Sequence, residues 1–285
     1  MLGILIYVML SLVLFIVLYP LFFVVIASLS DPAMVLRGDV WLHPKGFNLV
    51  GYEKIIGNTD ILKGYLNTIL YALAGTAVNL VMTIISAYPL SRRVFFGKNL
   101  IMMMFVFTMF FSGGLIPSYL LIKNLGMMDT FWVMIIPNAV AIWNIIIMRT
   151  FFQSTIPNEV YEAAEIDGSS HVQSLIGIVL PLSMPVIAVM ILFYSVAHWN
   201  AFFNALIYLS DRDKYPLQLI LREILVQNQL SEMVGTADDT IAQNLLAGES
   251  IKYAVIIFAN LPILILYPLL QKYFVKGVMI GAIKG

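Results

Sequence analysis

The sequence predicts an all-α membrane protein with six transmembrane helices. Of its 285 residues 61% are hydrophobic and 11% charged, too few charges to coat one soluble globule of this size. Intervals free of Asp, Glu, Lys and Arg then locate helices long enough to cross a bilayer, whose hydrocarbon of about 30 Å needs about 20 apolar residues. Six such intervals occur: Leu2 to Ser30, Gly64 to Ser91, Asn99 to Ile122, Thr130 to Met148, Val172 to Ser210 and Tyr253 to Gln271.

The first interval has one competing reading, a cleavable signal in which Ala27 and Ser28 imitate a cleavage site. Its apolar stretch exceeds the roughly 7–15 residues of a signal core, and no Lys or Arg precedes it, so a retained helix is expected. The fifth interval is too long for one span. Trp199, Asn200 and Asn204 place its helix end near Ala197, with an interfacial segment following. Orientation follows from loop bases. Arg92, Arg93, Lys98, Arg149, Lys272, Lys276 and Lys284 fall on one side within short loops, while the remaining bases are spread over longer ones. That side is expected to be cytoplasmic, with both termini inside. Extracellular segments of about 31–63 and about 200–252 are rich in Gly, Asn, Asp and charge and are expected to form small caps or helices. The chain, 1–285, reads as a single transmembrane domain. It has no cysteine, and its 16 methionines read as adaptable apolar filler.

One loop, about 149–171, stands out. Thr155-Ile-Pro-Asn-Glu-Val-Tyr-Glu-Ala-Ala-Glu-Ile-Asp-Gly168, followed by Ser169-Ser170, predicts a helix, a turn and a second helix. Thr155 or Ser154 supplies a cap, Pro157 suits an early helical position, and Glu159 and Glu162 favour the positive helix start. Gly168 suits the left-handed residue that closes a helix, and Ser169 or Ser170 caps the next. Pro181 and Pro185 then break or kink that second helix. With Ala163 and Ala164 adjacent, the first helix offers a flat surface flanked by carboxylates, fit for a groove in another protein. A solvated connector is equally consistent with these residues.

Glu162-Ala163-Ala164, three residues, Gly168, nine residues, Ile178, one residue, Leu180-Pro181 resembles the EAA loop of bacterial binding-protein-dependent ABC import permeases. That resemblance implies the ABC type I importer permease fold. It also implies that Glu162, Ala163, Ala164 and Gly168 dock on an ATPase subunit through cytoplasmic coupling helices. The ending from Gln271 to Gly285 is similar to the tail of the MalG-type, carbohydrate-uptake branch, implying that Gly277, Gly281 and Lys284 reach toward the ATPase; Lys276 departs from that pattern. Trp199-Asn200 and Tyr215-Pro216-Leu217 look like the same branch, and the likeness runs closest to the LplC/YtcP type of oligosaccharide permease. The implied partners are a second homologous permease, an ATPase dimer, an extracellular solute-binding lipoprotein, an oligosaccharide and membrane lipid, in a bacterial cytoplasmic membrane.

No Gly-x-x-x-x-Gly-Lys-Ser/Thr phosphate loop occurs, and the Gly277 to Gly285 stretch has the wrong spacing. This chain is therefore expected to hold no cofactor and to be no enzyme, with ATP and Mg bound by the partner. His43, His171 and His198 lie in three different segments and make no metal or acid-base constellation. Zero formal net charge without a basic tract argues against nucleic acid. A secondary transporter commonly needs intramembrane carboxylates, which these intervals lack by construction, and a hydrophobic-gated channel gives no reason for the EAA spacing. Uncharged polar and aromatic groups in or near the spans are candidates for a sugar path: Asn67, Asn79, Asn138, Trp143, Asn144, His198, Trp199 and Asn204. Helix packing is an equal reading for each, and Ala72, Gly75 and Thr76 read as packing faces.

Overall fold

The computed structural model describes residues 2–234, 248, 251–268 and 271. In chain order its helices are α1 (Leu2–Ser28), α2 (Pro32–Leu36), α3 (Val50–Gly57), α4 (Thr59–Ser91), α5 (Lys98–Phe110), α6 (Leu115–Asn124), α7 (Ile142–Thr155) and α8 (Asn158–Ile166). Then come α9 (His171–Leu182), α10 (Met184–Trp199), α11 (Phe203–Tyr208), α12 (Leu217–Val234) and α13 (Ile251–Pro268). No strand occurs among the described residues. They fall into two compact units, one drawn from Met1–Leu66 and Tyr215–Pro262, the other from Asn67–Lys214 and Ile263–Gly285.

In the first unit, α1 is apolar all round and stays exposed until its last turn, where Ile26, Ala27 and Ser28 become buried. A helix without a polar face needs lipid or another chain around it. Phe23 meets Tyr253 edge-to-face at 5.9 Å, and Tyr65 meets Phe258 at 4.8 Å, so α13 is held by aromatic contacts. The segment 31–63 forms the expected small helices, α2 and α3. In α2, Asp31 accepts from the Ala33 amide at 2.8 Å with Pro32 next to it, which is ordinary N-terminal capping.

The second unit is built on the Asn67–Ser91 part of α4. Its core joins Ala87, Tyr88 and Leu90 to Ile145, Met148 and Phe152 of α7 and to Val186, Ile187 and Met190 of α10. Three of the expected spans are not straight helices. Between α5 and α6 the axis turns by 110° at Phe111 to Gly114, where Gly114 has φ 86°. The fourth interval starts as 3₁₀ turns, Phe131–Met134 and Ile136–Asn138, and bends 54° before α7. The fifth bends 82° at Ser183, between α9 and α10. There Pro181 and Pro185 each lack the N–H that would continue the ladder, as the sequence anticipates. Just ahead, Leu175–Val179 is a π-helical turn closed by the Leu180 amide on the Leu175 carbonyl. The fifth span ends at Trp199, two residues past the expected Ala197, and α11 follows as the short segment expected there.

Candidate functional site

The loop singled out by its spacing folds as the short helix α8. Helical periodicity turns Tyr161 and Ala164 inward, where both are buried, and leaves Glu159, Glu162, Ala163 and Ile166 exposed. The flat face expected from two adjacent alanines therefore does not form: neighbours in a helix point about 100° apart, and only Ala163 faces out. The expected Thr155 or Ser154 cap is also corrected. Both residues belong to the end of α7, and the cap position falls on Pro157, with no side-chain bond.

The exit of α8 follows expectation. Gly168 has φ 75°, its amide donates to the Glu165 carbonyl at 3.1 Å, and the Ser169 amide donates to the Ala164 carbonyl at 2.9 Å, the paired bonds of a Schellman ending. Ser170 then opens α9 with a capping box. Its hydroxyl accepts from the Gln173 amide, and its own amide donates to the Gln173 side chain at 2.8 Å.

Behind α8 stands the C-terminal end of α4. Arg92 lies 3.7 Å over the Tyr161 ring and donates to Glu165 Oε1 at 2.7 Å. Burial pushes the Tyr161 phenol up, with Arg92 pulling the other way, so the ring stays neutral and presents its π face to the cation. Its hydroxyl is buried with no hydrogen-bond partner among the described residues. With its amide oxygen toward Arg93, Asn158 accepts from that guanidinium at 3.2 and 3.3 Å. Orphan carbonyls at the α4 terminus are taken up by side chains: Arg149 Nε donates to Leu90 O at 2.9 Å and Lys98 Nζ to Arg92 O at 3.0 Å. Tyr88 Oη donates to His171 O at 3.2 Å, tying α4 to the start of α9.

A polar seam joins α4 to α10 within the same unit. Asn79 Oδ1 and His198 Nε2 are 2.6 Å apart, and Asn79 Nδ2 donates to the Asn138 carbonyl at 2.6 Å. Thr76 pairs with Ser195 and Thr83 with Tyr194. The seam closes because Gly75 lets the His198 ring rest on its backbone: a Cβ there would meet Cε1, Nε2 and Cδ2 of the imidazole.

The path candidates separate accordingly. His198 and Trp199 are buried, and His198 serves the seam. Asn144 is buried on α7. Asn67 donates to the Asp213 carbonyl at 2.7 Å and holds the loop that carries it. Asn138 and Trp143 are exposed, and Asn204 is partly exposed. Gly277, Gly281 and Lys284 lie outside the described residues. Sequence reading missed Asp129, a non-glycine with φ 56° whose carboxylate accepts from the amides of Ser210 and Asp211 and meets Lys214 Nζ at 3.3 Å. Those bonds hold its carboxyl below the usual range, the Asp211 amide first.

Residues 75–280 match the family described as binding-protein-dependent transport system inner membrane component. The chain belongs to that family. Among similar proteins of Bacillus subtilis (strain 168), protein LplC is 42% identical over 93% of this chain and 89% of its own length. The polygalacturonan/rhamnogalacturonan transport system permease protein YtcP is 38% identical over 93% and 92%. In a crystal structure of a bacterial ABC transporter involved in the import of the acidic polysaccharide alginate, one chain superposes with TM-score 0.85 at 31% identity, covering 95% of this chain and 96% of that one. This inner membrane component is thus a multi-pass protein of the cytoplasmic membrane with the ABC type I importer permease fold, and up to six spans when each bent pair is counted as one.

Proposed function

We propose that this permease forms half of the membrane pathway of an importer for an oligosaccharide, paired with a second homologous permease. A separate ATPase dimer holds ATP and Mg, and an extracellular solute-binding lipoprotein delivers the sugar. The observation that carries the reading is α8: a helix clamped from behind by Arg92, with Glu162 and Ala163 left outward and its end fixed by Gly168. A mere connector needs no such fixation. Glu162, Ala163 and Gly168 present the docking face, and Ala164 supports it by packing inward. The tail residues Gly277, Gly281 and Lys284 extend toward the same ATPase, and both termini lie in the cytoplasm within one permease domain.

Closure of the ATPase dimer would draw the two docking helices together and exchange inward-open and outward-open states, with Ser183 between its two prolines as a flexion point. Names of relatives support the substrate class, since polygalacturonan and rhamnogalacturonan are polysaccharides and the alginate importer handles another. Asn138, Trp143 and Asn204, which retain exposed surface, are the path residues the reading keeps. The test is a binding panel of uronate and neutral oligosaccharides, amino acids and metal ions on the cognate solute-binding protein, followed by uptake in cells lacking this permease. Oligosaccharide binding and loss of that uptake alone are expected; loss of amino-acid or metal uptake instead overturns the assignment.

A further inference from the structure

We propose that Arg92 is a positioning residue that makes α8 and α4 move as one body, so that displacement of the docking helix reaches the membrane through α4. The inference rests on the reading of α8 as the docking helix and goes beyond it by naming the route of the motion.

The covalent routes out of α8 are interrupted. Upstream, the chain leaves helical conformation at Ile156 and Pro157 before joining α7. Downstream, it passes the left-handed Gly168, the π turn at Leu175–Val179 and the 82° bend at Ser183 before reaching α10. Each break absorbs rotation. Arg92, the residue that follows α4, instead joins α8 to a helix that continues as one element over Thr59–Ser91, about 50 Å at 1.5 Å per residue, with Pro89 in its last turn and no bend of the kind that splits the fifth span.

The joint has two arms on one guanidinium: an ion pair of 2.7 Å to Glu165 and a stack of 3.7 Å on Tyr161, one helical turn apart on α8. Two attachment points on a planar group resist rotation of α8 as well as separation from it, which a point charge cannot do. The Arg92 side chain is 15% exposed, so solvent does not readily replace its partners. Lys98 on the Arg92 carbonyl and Arg149 on the Leu90 carbonyl fix the end of α4 from which the arm projects. Farther along α4, the seam of Thr76, Asn79 and Thr83 hands the motion to Ser195, His198 and Tyr194 of α10.

The experiment uses the complete importer in proteoliposomes. Because the chain has no cysteine, one pair of spin labels can be placed at exposed positions of the same chain through Glu159→Cys on α8 together with Ile85→Cys on α4. In the wild-type background the label distance is expected to stay within about 2 Å between nucleotide-free and ATP-vanadate states. In Arg92→Gln it is expected to change by more than that. Uptake per ATP, measured with a polygalacturonan hydrolysate, is expected to fall about tenfold while the ATPase still co-purifies. Arg92→Lys, which keeps charge without the planar stack, should fall between. The exchange Arg92→Glu with Glu165→Arg, which rebuilds the ion pair without the stack on Tyr161, should restore coupling only in part. A distance that shifts in the wild-type background, or an Arg92→Gln distance that does not, overturns the proposal, as does loss of ATPase association in that variant. Should Arg92→Gln fail to accumulate, Glu165→Gln, altering a half-exposed carboxylate, is read by the same criteria. Failure of the docking reading is distinguished by Glu162→Ala, which would then keep its ATPase whatever Arg92 does.

Discussion

Replacing Gly75 by alanine tests the seam between α4 and α10. The added Cβ meets three atoms of the His198 imidazole. That ring is buried and bound to Asn79 Oδ1 at 2.6 Å, so it cannot yield without giving up an interhelical hydrogen bond. Overpacking costs about 1–3 kcal/mol, and an interhelical bond in a membrane contributes about 0.6 kcal/mol on average and about 1.7 at most. Against this, alanine is favoured over glycine in a helix by about 1 kcal/mol. The net expectation is a loss of about 1–3 kcal/mol. Gly57→Ala, at a position with nothing within 4 Å of the new atom, is the control and should stay within about 0.5 kcal/mol of the parent or gain slightly. Unfolding titrations in lipid-detergent micelles measure both, and the double variant with His198→Ala should recover part of the loss through the coupling term of the cycle. If Gly75→Ala is as stable as Gly57→Ala, the close approach described here is wrong.

Three further outcomes follow from other parts of the molecule. The Asp129 carboxyl is held below the usual 3.8, so its contribution is fully present above that value and is lost as pH falls through the depressed folded value. Hydrogen exchange at the Ser210 and Asp211 amides should therefore accelerate on strong acidification, and Asp129→Ala should show that exchange already at neutral pH. Gly168→Val places a β-branched residue at φ 75°, a strain of about 1–2 kcal/mol, and should fray the end of α8 in exchange experiments while α10 keeps its protection. Cysteines introduced singly at Asn58 and Ser169 report topology: the first should label with an impermeant reagent from outside, the second only after permeabilisation, and the reverse pattern would invert the orientation.

Charge-free intervals located the spanning segments well because membrane burial forbids charge along a whole helix. They carried no information on backbone direction, so Asn99 to Ile122 read as one helix although Gly113 and Gly114 lie within it, and the structure turns there by 110°. At the fifth span, Pro181 and Pro185 did signal the break, because a missing N–H is a local property. The same distinction governs the site. Gly168 and Ser170 are legible as a helix end and a cap, whereas the adjacency of Ala163 and Ala164 suggests one face that helical spacing in fact separates. His198 and Asn79 are 119 residues apart, and Arg92 and Glu165 are 73 apart. No local pattern pairs them, so His198 read as a path residue and Arg92 only as an orientation charge.

The most direct test of the central claim is Glu162→Ala in the intact importer. The side chain is exposed, so a connector would tolerate its loss within about 0.5 kcal/mol and with unchanged function. A docked carboxylate that meets a basic group in an ATPase groove loses about 2–5 kcal/mol of association when truncated, since its partner is left unpaired. The account predicts that the variant inserts and accumulates as the parent does, while ATPase co-purification drops sharply and transport ceases. Normal ATPase association together with full transport in Glu162→Ala would contradict it.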